Sequence, residues 1–358
     1  MAEAGGAGER INAEVLEQFC ADVLTKFGLE PEDAAISAKV LLASDLRGID
    51  SHGVPRMPMY TNRLREGAVN LHPNFRVVAE TPATIAFDAD NGMGHPAAYR
   101  AMKRCIEKAK ETGLCMATVR RSNHFGIAGF YAMMALEEGL CGMAMTNATP
   151  LVVPTFAKEP YLSTAPIAIA IPAGKERPIV IDMATSTVAW GKVEIARREE
   201  KPLPAGWALD REGRDTTDPE AAVSLTPLGW SRELGSHKGY GLALFVEVLC
   251  GQLAGAAWSR YVSGSRTVPP RPANIGHAFM AWRIDAFRPE EEFRAEMDQM
   301  LGELRAAEPI AGHDRVYVPG DPEDIALADR LERGIPVHPK VVDQLRALGE
   351  ETGVPAPF

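Results

Sequence analysis

A change of hydrophobic period at Pro73 limits what this chain can fold into. Before it, apolar residues recur at helical spacing. Residues 11–27 are amphipathic and stop at Gly28; residues 31–47 follow, with Pro31 near their start and Gly48 past their end. Proline early in a helix and glycine just beyond one are start and stop signals. A third helix is predicted from near Val54 to about Glu66. After Pro73 short β-like runs alternate with helices: strands at 75–79 and 84–88, a helix at 96–112, a strand at 115–119, a helix at 128–138, a strand at 141–146, and further strands at 167–171 and 179–181. Strand–helix–strand alternation indicates an α/β layer. Beyond it, 188–198 reads as helical, 201–221 as a polar excursion and 240–254 as a strongly apolar helix. Residues 259–274 form a Pro/Arg/Ser-rich loop, mobile or folded over a site. A returning strand at 277–284, a charged helix at 290–307 and two short helices in the tail complete the chain, while residues 1–10 read as disordered.

At 358 residues the chain calls for two or three subdomains. We expect a helical part at 1–73, a sheet-bearing part at 74–285 with an excursion at 186–235, and C-terminal helices at 286–358 that pack with the first part. Net charge is −10 and no Lys/Arg-rich run exists, so neither nucleic acid nor an anionic membrane is an expected partner. An anionic substrate must then be attracted by local cations. No apolar run approaches the ~20 residues of a membrane span, and the first ten residues lack a basic region followed by an apolar one. Cys20, Cys105, Cys115, Cys141 and Cys250 are scattered and odd in number, without C-x-x-C or metal spacing. They read as buried free thiols of a cytoplasmic protein.

The segment Asp50-Ser51-His52-Gly53-Val54-Pro55-Arg56 places an imidazole and a permanent cation four residues apart at a helix start. Gly53 frees the backbone there. His moves a proton near neutral pH and Arg grips a carboxylate with two parallel hydrogen bonds. An N-cap serine beside a surface ion pair is the simpler alternative. Ser122-Asn123-His124-Phe125-Gly126-Ile127-Ala128-Gly129 leads from a strand into a helix, where amides can meet an anion; His124 is a contact or a second acid/base, or the stretch is only a polar turn. Asp182-Met183-Ala184 follows a strand and lies at its carboxyl end, with Trp190-Gly191-Lys192 soon after. Lys238 and the amides around Gly239 suit phosphate or ribose, or the glycines serve close packing. Pro319-Gly320-Asp321 is a turn with a carboxylate free for ribose hydroxyls, or a plain surface turn. No G-x-G-x-x-G opens a βαβ unit.

In combination, D-S-H-G-V-x-R, S-N-H-F-G, D-M-A-T, W-G-K and H-K-G-Y-G resemble the malate/L-lactate dehydrogenase family, from about Ile11 to the chain's end. That family includes sulfolactate and ureidoglycolate dehydrogenases, and diketogulonate and piperideine-2-carboxylate reductases. The resemblance implies a non-Rossmann fold of the α/β (α+β-like) class. NAD or NADP would lie on a mixed, mainly antiparallel sheet flanked by helices, beside a helical part built from both chain ends. It implies a homodimer or dimer of dimers acting on a small carboxylate substrate. Position by position it makes His52 the acid/base, helped by Ser51, with His124 the rival. Arg56 and Thr164 would meet substrate. His124, Phe125, Gly126, Ile127 and Ala128 would line the dinucleotide, as would Asp182, Met183, Ala184, Trp190, Gly191, Lys238, Gly239, Pro319, Gly320 and Asp321. No metal is implied. Lys192 stands where imine-reducing members carry an aspartate, which points to 2-hydroxyacids and away from cyclic imines. Asp321 replaces a more usual glutamate. Trp230 is bulky where relatives have a small residue, and narrows a pocket or covers a loop. Arg197 and Arg198 are cations available to a 2′-phosphate.

Overall fold

The computed structural model describes residues 9–264 and 267–358. The chain opens with strand β1 (Glu9–Ile11) and helices α1 (Ala13–Lys26) and α2 (Pro31–Leu46). A short 3₁₀ turn (Val54–Arg56) runs into α3 (Met57–Arg65). Then come β2 (Arg76–Glu80), β3 (Thr84–Asp88), α4 (Gly94–Thr112), β4 (Leu114–Ser122), α5 (Ala128–Met134), β5 (Cys141–Thr146), β6 (Ile167–Ile171), β7 (Ile179–Met183) and α6 (Trp190–Glu199). The excursion carries β8 (Ala208–Leu209), β9 (Asp215–Thr216) and β10 (Ser224–Leu225). Last are α7 (Ser236–Glu247) with a π-helical continuation (Val248–Leu253), β11 (Ile275–Trp282), α8 (Glu290–Ala306), α9 (Asp321–Arg333), β12 (Ile335–Val337) and α10 (Pro339–Thr352).

The main sheet has seven strands in the order β2-β3-β4-β11-β5-β6-β7. Only β3 and β4 run parallel, joined by α4; every other neighbour is antiparallel. This is the mixed, mainly antiparallel sheet that the resemblance implied. Local alternation alone suggested an ordinary α/β layer. The difference lies in β11, which returns late in the chain and wedges between β4 and β5. Two strands that a βαβ unit would pair are thereby separated. Gly276 admits the wedge: a Cβ there would stand 1.7 Å from the Cys250 carbonyl oxygen of the π-helical turn.

One side of the sheet buries α4 and α5 through Ala98, Met102, Ile106 and Tyr131, with Phe125 of the preceding turn, against Ala117 and Phe279. The excursion gathers Val188, Trp190, Leu203, Leu225 and Val246 into a second core. A third core joins both chain ends, with Leu16, Phe19, Leu24, Leu41 and Leu42 packed with Ile335, Val341 and Leu345.

Several boundaries shift from those expected. Glu9 and Arg10, read as disordered, form β1 against β12 because Ile11 is buried and Arg10 donates to the Asp329 carboxylate (2.9 Å) and the Gly334 carbonyl (3.0 Å). The rest of that expected disorder, residues 1–8, lies outside the described residues. β4 runs past Val119 to Ser122, since β11 continues to pair with it beyond a register shift. β7 includes Asp182 and Met183, which were expected to follow the strand. α7 begins at Ser236, so Lys238 and Gly239 lie inside it. All five cysteines are free and buried. Among the described residues no helix is long and apolar enough to cross a membrane.

Candidate active site

The segment from Asp50 to Arg56 is held from below by a buried carboxylate. Asp45, near the end of α2, accepts from the Val54 N–H at 2.8 Å and so caps the 3₁₀ turn. Gly53 is required by that contact and not by backbone freedom. Its φ is −87°, but a Cβ would stand 1.8 Å from Asp45 Oδ1. Arg330 of α9 reaches over to the Asp45 carbonyl and the Asp50 carboxylate, tying the segment to the C-terminal helices. Asp50 thus has a structural partner.

On this support, Ser51 Oγ lies 2.8 Å from His52 Nδ1. Arg56 Nε donates to the Ser51 carbonyl (2.7 Å), and Arg56 Nη1 pairs with Glu194 of α6 at 3.0 Å. Gly191, in the first turn of α6, presses directly on the segment: a Cβ there would be 2.6 Å from Ser51 Cβ and 2.9 Å from Arg56 Nη2. The early helix and the middle of the chain therefore meet at these residues.

The His52 and His124 rings stack nearly parallel, with centroids 5.7 Å apart and planes at 18°. Tyr60 Oη lies 2.6 Å from His124 Nδ1, and the Gly126 N–H points at the same nitrogen from 3.3 Å. Both neighbours can donate, which assigns the ring proton to His124 Nε2. Burial raises the Tyr60 pKa, so the phenol keeps its proton and remains a donor. Burial, helped by His124 and Arg56, holds the His52 pKa well below its ordinary value. Burial and Arg56 pull His124 down to about 4. Two neutral imidazoles thus stand beside a fixed cation.

Sequence reasoning missed three neighbours. Tyr60 is one helical turn past Arg56 and falls on the same face, a spacing that could have marked it. His95 is fully buried, edge-on to Tyr60 at 4.7 Å. His277 lies between Ser122 Oγ and Thr146 Oγ1, each at 2.8 Å, and flat against Phe125. No local motif announces either histidine. Burial lowers both to about 3, from an ordinary 6.5. Groups depressed in the folded state stabilise it fully above pH 6.5, and this is lost as pH falls towards their folded values. His95, His124 and His277 should each remove ~1.4 kcal/mol of stability per pH unit below 6.5. Urea unfolding at pH 7 and pH 5 measures this, and equal midpoints would contradict it.

The remaining candidates form a second layer. Asp182 Oδ2 accepts from the Gly129 N–H at 2.8 Å, at the start of α5. That amide was expected to serve an anion and is already engaged. Asp182 is exposed along its strand, yet desolvation by the protein around it raises its pKa to about 6. Met183 and Ala184 beside it are half-buried. Phe125, Ile127 and Ala128 are buried, and Gly126 turns the chain at φ +80°. Pro319 accepts from the Val180 N–H (3.1 Å), and Gly320 begins α9 at φ +105°, which places this turn beside β7. The Asp321 carboxylate is not free: Arg305 holds it at 2.8 and 3.1 Å and the Val318 N–H at 2.9 Å.

Thr164 is half-buried and its carbonyl accepts from Thr185, whose own carbonyl accepts from Leu228. Gly239 packs on Leu228, where a Cβ would meet the carbonyl oxygen at 2.4 Å, so its glycine serves close packing. Lys238 is exposed. Trp190 is buried with the Arg197 guanidinium 5.3 Å over its ring. Arg197 also donates to the carbonyls of Pro219 and Ala222, which holds it in the excursion. Trp230 covers a loop, its ring lying where a Gly206 Cβ would come within 2.5 Å.

A family model described as malate/L-lactate dehydrogenase matches residues 11–346. The chain is 44% identical to the malate dehydrogenase of Pyrococcus horikoshii over 349 residues, covering 96% of each chain. The solved structure of that malate dehydrogenase superposes with a TM-score of 0.90 over 98% of this chain and 97% of the other. Identity to the L-sulfolactate dehydrogenase of Methanocaldococcus jannaschii is 37%, covering 93% of this chain and 94% of the relative. The structure of a δ1-piperideine-2-carboxylate reductase from Pseudomonas syringae gives a TM-score of 0.82 at 29% identity, covering 95% of this chain and 99% of the other.

Proposed function

Given that this chain belongs to the malate/L-lactate dehydrogenase family and is an NAD(P)-dependent oxidoreductase of hydroxyacids, we propose that it reduces and re-forms the C2 carbonyl of a small 2-oxocarboxylate. NAD(P) supplies or takes the hydride through nicotinamide C4. Asp182, exposed with one oxygen on Gly129, fits ribose hydroxyls, and the exposed Lys238 fits a phosphate.

The observation that carries the reading is the stack of two neutral imidazoles against Arg56. Arg56 takes the substrate carboxylate. Until it does, its charge opposes protonation of either ring. A bound carboxylate adds to the offset that Glu194 already gives, so His52 holds a proton more readily when the acid is in place. During oxidation His52 takes the hydroxyl proton; during reduction it returns it to the forming alkoxide. Ser51, on His52 Nδ1, orients the ring. His124, aimed by Tyr60, is the second proton-bearing group. Thr164, half-buried in the segment that leads into β6, is the second residue assigned to the substrate.

Lys192, over Trp207 at 6.0 Å, argues against reduction of a cyclic imine, because the imine-reducing relay needs a carboxylate there. We also propose a cytoplasmic homodimer or dimer of dimers. The exposed apolar side chains of Leu244, Phe245, Val248 and Leu253, on α7 and its continuation, support self-association.

The test is NADH and NADPH oxidation with a panel of 2-oxoacids and piperideine-2-carboxylate, on wild type and Arg56→Ala. Arg56→Ala should raise KM for every 2-oxocarboxylate by ~10²-fold, the worth of a charge-assisted bidentate contact. Activity with the imine alone would select the other reaction, and an unchanged KM would remove Arg56 from the carboxylate site.

A further inference from the structure

Arg63 is buried without a carboxylate to balance it. Its residue is 8% exposed. Nη2 donates to the Arg271 carbonyl at 3.0 Å, while Nη1 is buried with no hydrogen-bond partner. Among the described residues it forms no ion pair; Glu66, on the same stretch of chain, only partly opposes the effect of burial on it. A buried guanidinium left half-satisfied is costly and needs an explanation.

That explanation is the space beside it. A cavity of about 90 Å³ is lined by Tyr60, Arg63, Asn123, His124, Thr149 and Ser263. It has room for several waters or for one acidic group. Ser263 and Arg271 both belong to the segment 259–274, of which residues 265–266 lie outside the described residues, and the Arg63–Arg271 bond ties Arg271 to α3. Asn123 spends its amide hydrogens on the carbonyls of Asn91 and Gly92. Its Oδ1 is an acceptor, so among the named lining side chains Arg63, Thr149, Ser263 and the Nε2–H of His124 are the groups that can donate to an anion here.

The cavity adjoins the proposed reaction site. His124 belongs to both. Arg56, Tyr60 and Arg63 follow at spacings of four and three, which places them on one helix face. Arg56 closes the 3₁₀ turn that runs into α3, and Arg63 lies in α3, so their Cα atoms are about 10 Å apart along the axis.

Resting on the proposed function, we propose that Arg63 is a specificity-determining residue that binds the second acidic group of the substrate. With C1 on Arg56 and C2 beside the imidazoles, a carboxylate or sulfonate on the next carbon enters this cavity. The enzyme then prefers dianionic 2-oxoacids to monocarboxylates.

The test measures kcat/KM of the full-length enzyme with oxaloacetate, 3-sulfopyruvate and 2-oxobutyrate. Wild type should favour the two dianions by 10²-fold or more, and unequal preference between them separates carboxylate from sulfonate. Arg63→Met should reduce that preference at least 30-fold, mainly through KM, and Arg63→Lys should restore part of it. Should Arg63→Met not fold, Thr149→Asp sets a competing carboxylate in the cavity and should lower the preference similarly. A wild type that uses 2-oxobutyrate as well as the dianions overturns the proposal and leaves the hydride-transfer reading intact. Equal losses for all three substrates in Arg63→Met and Thr149→Asp also overturn it. Absence of activity with every 2-oxoacid removes both readings together.

Discussion

Replacing His52 with alanine is expected to lower kcat by ~10²–10⁴-fold, the usual contribution of a positioned acid/base. The fold should survive, because His52 is half-buried and, among the described residues, its side-chain hydrogen bond runs to the adjacent Ser51. The same measurement on His124→Ala and Tyr60→Phe decides between the stacked rings. If His52 moves the proton, His124→Ala loses less, and Tyr60→Phe acts only through the tilt and tautomer of His124. A near-normal kcat in His52→Ala, with a large loss in His124→Ala, would transfer the role to His124. The pH profile is informative too. Arg56 and burial keep both rings neutral in the free protein. The pH dependence of kcat/KM should therefore break at a lower pH than that of kcat, since the bound carboxylate adds to the partial offset of Arg56 that Glu194 already gives.

Gly53→Ala should destabilise the protein by about 3 kcal/mol or more, among the larger effects of one methyl group. The new Cβ would overlap the Asp45 carboxyl at 1.8 Å, and Asp45 is buried with no space to retreat. Any retreat also breaks the cap on the Val54 N–H. His52 and Arg56 flank this point, so activity should fall with stability. Gly302→Ala is the counterpart. It lies inside α8 with nothing within 4 Å of a Cβ, and should stabilise by about 0.5–1 kcal/mol through helix propensity. Urea denaturation of both variants measures the contrast. Equal midpoints would mean that the Asp45 contact relaxes at little cost.

What the sequence determined is what lies close along the chain. Helix starts and stops at Pro31, Gly28, Gly48 and Gly113 depend on residues within a turn of each other, and the structure has them within a few positions. The pairing of His52 with Arg56 was legible for the same reason, since four residues at a helix start leave few geometries. Tyr60 and Arg63 were available by that periodicity but carried no separate mark.

Only the tertiary structure decided the rest. The insertion of β11 between β4 and β5 depends on a contact with the π-helical turn that no local pattern encodes. Asp321 looked free until Arg305, a full helix earlier, closed on it. Gly53 and Gly191 looked like flexible or cofactor-lining glycines, yet each is small because another segment occupies the volume of its missing Cβ. Short-range sterics and hydrogen bonding set the elements. Volume exclusion and charge pairing between distant segments assembled the imidazole stack, the buried Arg63 and the cavity beside them, because such interactions exist only after the chain has come together.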